Sequence, residues 1–166
     1  GRLYLAGLLH DVGKIGMPEG VPRKTGRLTD EEYVRVKQHP EVGARILGGI
    51  GQMEDLIPVI LHHHERLDGR GYPSGLAGRQ IPIEAAVVGL ADSFDAMTSS
   101  RTYRSAMPIE AVTAEIRRCS GTQFDPQLAE HLLSMNLPAY VEELRRLSVG
   151  QDVPFIATGG IERSPS

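Results

Sequence analysis

Apolar residues recur along this chain in short helical stretches separated by glycine- and proline-rich breaks, and no stretch alternates with the two-residue period of a half-buried strand. Residues 3–9 read as an apolar helix already under way at the first residues. Residues 16–28 contain Gly16, Pro18, Gly20, Pro22 and Gly26, which predicts a loop. Thr29 followed by Asp30, Glu31 and Glu32 is a capping-box start, predicting a helix that ends near His39-Pro40. Residues 41–47 begin another helix, stopped by Gly48, Gly49 and Gly51. Residues 56–64 continue as apolar helix, with Pro58 tolerated in the first turn. After a glycine-dense loop over 66–79, Pro82 opens a long helix reaching Met97, and Pro108 starts another reaching about Arg118. Asp125-Pro126 pairs an N-cap with a first-turn proline for a helix ending near Met135. Residues 138–147 form a short amphipathic helix with Glu142, Glu143, Arg145 and Arg146 outward. The prediction is an all-α protein: one helical domain over 1–147 and a loosely held tail over 148–166.

Composition narrows the class without naming a chemistry. The chain has 166 residues, 40% of them hydrophobic, with three Phe and five Tyr, so the core must rest on aliphatic side chains. A net charge of -3 without a block of Lys or Arg argues against a nucleic-acid surface. An anionic substrate must then be attracted locally. Cys119 is the single cysteine, which rules out an intrachain disulfide and fits a reducing cytoplasm. No apolar run approaches the ~18 residues of a membrane span, and no signal peptide opens the chain.

Six residues make a dispersed set of metal-type ligands: His10, Asp11, His39, His63, His64 and Asp92, five of them in stretches that otherwise read as apolar helix. Imidazoles and carboxylates are costly to bury unpaired, yet four of one and two of the other can neutralise and hold two divalent first-row cations. Helical spacing would put Lys14 almost directly below His10, with Asp11 about 100° round as a bridging carboxylate. His39 falls at a turn, where a histidine is more often a surface or capping residue. Adjacent helical positions diverge by about 100°, so His63 and His64 would each serve one of two ions lying side by side. Metal coordination would compensate Asp92. Asp95, one turn on, either orients a ligand histidine or is a helix-surface acid. Ligation by nitrogen and oxygen without cysteine suits Fe, Mn, Zn, Ni or Co. Two such ions, typically ~3.5–4 Å apart, leave a positive site suited to in-line displacement at a phosphodiester, with Lys14 neutralising phosphoryl charge or protonating the leaving oxygen. Arg101 and Arg104 offer guanidinium forks matched to phosphate, the alternative being a solvated basic turn. The loop with Gly69, Gly71, Tyr72 and Pro73 either lines the pocket or docks a partner protein.

Taken in order, five blocks carry a family resemblance: His10-Asp11-Val12-Gly13-Lys14; residues 28–43 with His39-Pro40; His63-His64-Glu65 through Gly71-Tyr72-Pro73; Ala91-Asp92-Ser93-Phe94-Asp95 with Arg101-Thr102-Tyr103-Arg104; and Gly121 to Pro126. Over roughly residues 1 to 135 the chain resembles an HD-GYP domain, a subgroup of the HD phosphohydrolase superfamily whose usual activity is hydrolysis of cyclic di-GMP. The resemblance implies an HD-type helical bundle lacking its N-terminal helices, iron or manganese as the metals, and His10, Asp11, His39, His63, His64 and Asp92 as ligands. It leaves His62 as a flanking residue, and places Arg101, Arg104 and the Gly71-Tyr72-Pro73 loop against the dinucleotide. It also implies an upstream sensory or receiver domain and signalling partners, with a homodimer as one assembly. A third metal would draw on ligands upstream of this chain. Ala86 departs from the pattern, standing where an arginine is common. Two other readings stay open: another HD-type nucleotide phosphohydrolase, including one for a mixed cyclic dinucleotide, and a signalling module that hydrolyses nothing.

Overall fold

In the computed structural model, residues 1–17, 28–100 and 105–148 are described. Eight α-helices run in order: α1 (Arg2–Leu9), α2 (Asp30–Val36), α3 (His39–Gly48), α4 (Ile57–His62), α5 (Ile83–Thr98), α6 (Ile109–Cys119), α7 (Pro126–Leu133) and α8 (Leu137–Ser148). Short 3-10 segments lie at Val12–Gly16, Glu54–Leu56 and Gly78–Gln80. Among the described residues there are only isolated bridges, Asp68 to Ala77 and Ser120 to Phe124, and no strand. The all-α expectation holds.

The helix starts follow the chemistry at their ends. Thr29 Oγ1 accepts from the Glu32 N–H at 3.2 Å while Glu32 accepts from the Thr29 N–H at 2.7 Å, so the first turn of α2 is closed reciprocally. Asp125 caps α7 by accepting from the N–H groups of Gln127 and Leu128.

The sixteen-residue helix α5 positions the site. Its Ala85 and Val88 join Ala6, Leu47, Leu56, Val59 and Ile60 in one buried cluster. Its Leu90 and Phe94 join Val112, Ile116, Phe124, Ala129, Leu137 and Val141 in a second. Each fully buried side chain of this size contributes about 1.5–3 kcal/mol, so α5 is held from both sides and cannot rotate without unpacking one core. Asp92 lies on α5 between Leu90 and Phe94, its two contributions to the second cluster. The apolar face expected on α1 is largely uncovered: Ala6 is buried, but Leu3, Tyr4, Leu5 and Leu8 are exposed.

Three boundaries differ from expectation, and each moves a functional residue. α2 stops at Val36 and His39 opens α3 with Pro40 in the first turn, so His39 is a buried helix-start residue, 1% exposed, rather than a turn histidine. α4 ends at His62, leaving His63 and His64 just beyond the helix. α1 ends at Leu9 and the chain tightens into the 3-10 segment Val12–Gly16, so Lys14 does not sit below His10; it pairs with Asp11 instead. No described helix is long and apolar enough to cross a membrane. Residues 149–166, Arg101 and Arg104 lie outside the described residues.

Candidate metal centre

Close backbone approaches bring the site segments together. A Cβ on Gly13 would stand 1.9 Å from the carbonyl oxygen of His39. A Cβ on Gly89 would stand 2.3 Å from that of His63. Only glycine lets the Val12–Gly16 segment meet α3, and α5 meet the end of α4, at these separations.

Each converging histidine is oriented in the same way. The Nδ1 of His10 lies 2.7 Å from the Gly7 carbonyl, that of His39 2.6 Å from Val36, and that of His63 2.7 Å from Ile60. A carbonyl can only accept, so each Nδ1 carries the hydrogen, and in His39 and His63 the neutral ring presents an Nε2 lone pair. The Nε2 atoms point at one another and at carboxylates. His39 Nε2 is 3.4 Å from His63 Nε2. His10 Nε2 is 3.4 Å from Asp11 Oδ2 and 3.6 Å from Asp92 Oδ1. The second Asp11 oxygen, Oδ1, is 3.4 Å from His39 Nε2. Asp11 thus turns one oxygen toward each of two histidines, the disposition of a bridging carboxylate.

The residues fit a metal. Buried His10 Nε2 and Asp11 Oδ1 make no hydrogen bond, and such atoms cost about 1–3 kcal/mol when left unsatisfied. Two acceptor lone pairs facing each other, as on His39 and His63, repel unless a cation stands between them. Among the described residues two groups have ligand atoms mutually within 4.8 Å: His39 with His63 and His64, and His10 with Asp11 and His63. The donor set, neutral imidazoles with ionised carboxylates, is that of a first-row divalent site.

The electrostatics show the same demand for positive charge. Burial, the largest influence on His10, disfavours its charge, yet the carboxylates of Asp11 and Asp92 outweigh it and push its pKa up to about 10. Burial likewise opposes ionisation of Asp11, but His10 and Lys14 hold it well below the usual carboxylate range. Burial, followed by the charge of its histidine neighbours, pushes His63 down to about 3 and His64 well below its ordinary value, and burial alone leads the lowering of His39. The three imidazoles are therefore neutral and able to ligate.

Other expected residues divide. Lys14 is buried, with Nζ 2.7 Å from Asp11 Oδ2. The Tyr72 ring stacks on His64, centres 4.8 Å apart at 26°. Gly71 and Pro73 sit beside it in the same loop, half-buried. Asp95 accepts from the Ser99 hydroxyl at 3.0 Å at the end of α5, and backbone carbonyls do the histidine-orienting work it was a candidate for. His131 is exposed. Sequence reasoning missed the use of Glu65: its buried carboxylate accepts from the Ser74 N–H at 2.7 Å and the Leu76 N–H at 3.0 Å, pinning the loop that carries Tyr72. An acid directly after two candidate ligands was the available signal. It also missed Lys37, which lies over the Tyr72 ring.

A family model described as HD domain matches residues 1–128. The chain is similar to a cyclic di-GMP phosphodiesterase of Thermotoga maritima, 43% identical over 136 residues covering 81% of this chain and 37% of the relative. It is 41% identical over 138 residues, 79% of this chain and 35% of the relative, to the cyclic di-GMP phosphodiesterase response regulator RpfG of Xanthomonas campestris. A 3′3′-cGAMP-specific phosphodiesterase of Vibrio cholerae is 36% identical over 127 residues, 75% of this chain and 24% of the relative. The solved structure of an HDG"Y"P protein from Bdellovibrio bacteriovorus matches with a TM-score of 0.63 over 79% of this chain and 42% of its own, at 23% identity, which is a likeness of fold. The chain therefore spans about a third of the length of the two cyclic di-GMP phosphodiesterases just described. With its His10-Asp11 doublet, lone His39, His63-His64 pair and Gly71-Tyr72-Pro73 loop in one helical frame, the chain belongs to the HD-domain family and, within it, to the HD-GYP group.

Proposed function

We propose that this chain is a metal-dependent phosphodiesterase that opens cyclic di-GMP to the linear dinucleotide, with a second cut to GMP as a further step. The observation that carries the reading is the facing pair of His39 and His63 Nε2 lone pairs, 3.4 Å apart, beside the two-sided carboxylate of Asp11. His10, Asp11, His39, His63, His64 and Asp92 would hold two divalent cations, iron or manganese, with a third metal drawing on ligands outside this chain. Bound there, the cations supply positive charge to a phosphodiester and acidify water. Asp11 bridges. Lys14 keeps Asp11 ionised and adds its own positive charge to the cluster that an entering phosphate meets. Carbonyls of Gly7, Val36 and Ile60 hold the imidazoles in the ligating tautomer. Glu65 fixes the loop, and Tyr72 on that loop fixes the plane of His64.

Residues 1–147 act as the catalytic unit and 148–166 as a tail. Gly71, Tyr72, Pro73, Arg101 and Arg104 are the substrate-side positions. The working compartment is the cytoplasm, and a homodimer and an upstream sensory or receiver domain complete the signalling assembly; one relative is named a response regulator. The second reading is a cyclic dinucleotide of mixed bases, favoured by the relative named for 3′3′-cGAMP. Protein loaded anaerobically with iron or manganese is incubated with each cyclic dinucleotide and the products are resolved by chromatography. Linear product from cyclic di-GMP supports the first reading, preferential loss of 3′3′-cGAMP the second, and no product from either excludes both.

A further inference from the structure

Lys37 follows the last residue of α2 and is half-buried. Its Nζ lies 4.8 Å from the centre of the Tyr33 ring and 5.3 Å from that of Tyr72. The Tyr72 ring in turn stacks on His64. Contact with ring faces steadies an ammonium by about 0.5–2 kcal/mol, depending on desolvation, but it does not neutralise the charge. Among the described residues Lys37 forms no ion pair.

The same ammonium stands in the wall of a cavity of about 840 Å³ that reaches His63 and His64 and also carries Arg70 and Arg79. Neither arginine is ion-paired to a described carboxylate. Arg66, on the same wall, is by contrast occupied, reaching both Asp68 oxygens and Gln123. The cavity falls within the ~300–1,000 Å³ of small-molecule sites. One end meets His63 and His64, and its wall holds three cations, Lys37, Arg70 and Arg79, that form no ion pair with a described carboxylate.

We infer that Lys37, with Arg70 and Arg79, binds the second phosphate of the substrate and thereby selects cyclic dinucleotides over simple phosphodiesters. The inference rests on the phosphodiesterase reading of the metal centre. A cyclic dinucleotide carries two phosphodiesters; with one at the metal-ligating cluster, the other needs a cation at the side. Lys37 is already held by two rings, so little rotamer freedom is lost when it engages an oxygen. Its compact charge suits a phosphate that is gripped but not cleaved.

The test uses the full chain reconstituted with manganese, and as probe a phosphorothioate analogue of cyclic di-GMP that is cut slowly. Calorimetric titration should show Lys37→Met weakening binding about tenfold and Lys37→Arg restoring most of it. The ratio of kcat/KM for cyclic di-GMP to that for bis(4-nitrophenyl) phosphate, which has one phosphate, should fall by a similar factor. Equal binding by wild-type and Lys37→Met protein overturns the inference. So does an equal loss on both substrates with a lowered melting temperature, which would make Lys37 a structural latch between α2 and the loop. Wild-type protein that binds the analogue but leaves cyclic di-GMP uncut overturns the phosphodiesterase reading alone, and the titration still decides Lys37. Wild-type protein that binds no analogue overturns both.

Discussion

His39 and His63 face each other through Nε2 atoms 3.4 Å apart, and the Nδ1 of each is tied to the carbonyl three residues earlier. With both Nδ1 positions committed as donors, the two inward nitrogens are acceptors without a donor between them. A cation at that point converts a repulsion into two bonds. His63→Ala should therefore remove more than one ligand's worth of affinity, because the ring also lies within ligand distance of His10 and Asp11. Elemental analysis should give about two transition-metal ions per wild-type chain and one or fewer for His63→Ala. Two ions retained by the variant would remove His63 from the ligand set.

Much of this centre was legible in the sequence because its residues sit where apolar side chains belong. His10, Asp11, His63, His64 and Asp92 stand out on that ground alone. The position of His39 was not legible, because a following proline biases against helix and hides the fact that His39 itself begins α3. The end of α4 was hidden for the opposite reason: the apolar pattern continues to His64 with no glycine or proline to mark a stop. The stacking of Tyr72 on His64 crosses a glycine-rich loop, and the reach of Lys37 to Tyr72 joins residues far apart in the chain. No periodicity encodes such contacts. Glycine at 89 reads in sequence as a weak point in a helix; its reason appears only when the His63 carbonyl is seen against it.

The metal-stripped protein should lose stability on mild acidification. Folded His63 stays neutral down to about 3, whereas its ordinary value is 6.5, and His39 and His64 are shifted the same way. Between those values the unfolded chain binds more protons than the folded one, so unfolding becomes easier as pH falls. His63 alone accounts for about 2 kcal/mol between pH 6.5 and 5. His10 has the opposite sign, but its contribution is fully present below 6.5 and is lost only as pH rises toward about 10. Thermal melts of chelator-treated protein from pH 7 to 5 should show a steady drop in Tm. A flat profile would mean that these histidines are not buried neutral.

Gly89→Ala tests how tightly α5 must approach the end of α4. The added methyl meets the His63 carbonyl oxygen at 2.3 Å, and that atom is backbone, which cannot swing aside. Overpacking of this kind costs about 1–3 kcal/mol. The shift also falls on His63 and on Asp92, one turn further along α5. Gly89→Ala should lower both the denaturant midpoint and the metal content, whereas Gly7→Ala, whose Cβ meets nothing within 4 Å, should keep its metal and raise the midpoint slightly, as removal of a helix-interior glycine does.

Glu65→Gln separates the ligands from the loop that steadies one of them. The carboxylate accepts from two backbone N–H groups, Ser74 and Leu76. A glutamine can match only one of them, since its amide nitrogen would face the other donor. A lost charge-assisted hydrogen bond plus an unmatched buried N–H costs about 1.5–3 kcal/mol, and the cost falls on the loop rather than on the two cores. Hydrogen exchange at Ser74 and Leu76 should accelerate while amides in α5 and α6 remain protected. Tyr72 would then lose its fixed place on His64, and metal held through His39, His63 and His64 should dissociate faster than metal held through His10, Asp11 and His63. Metal release at unchanged rates, despite faster exchange in the loop, would show that His64 keeps its orientation without the tyrosine.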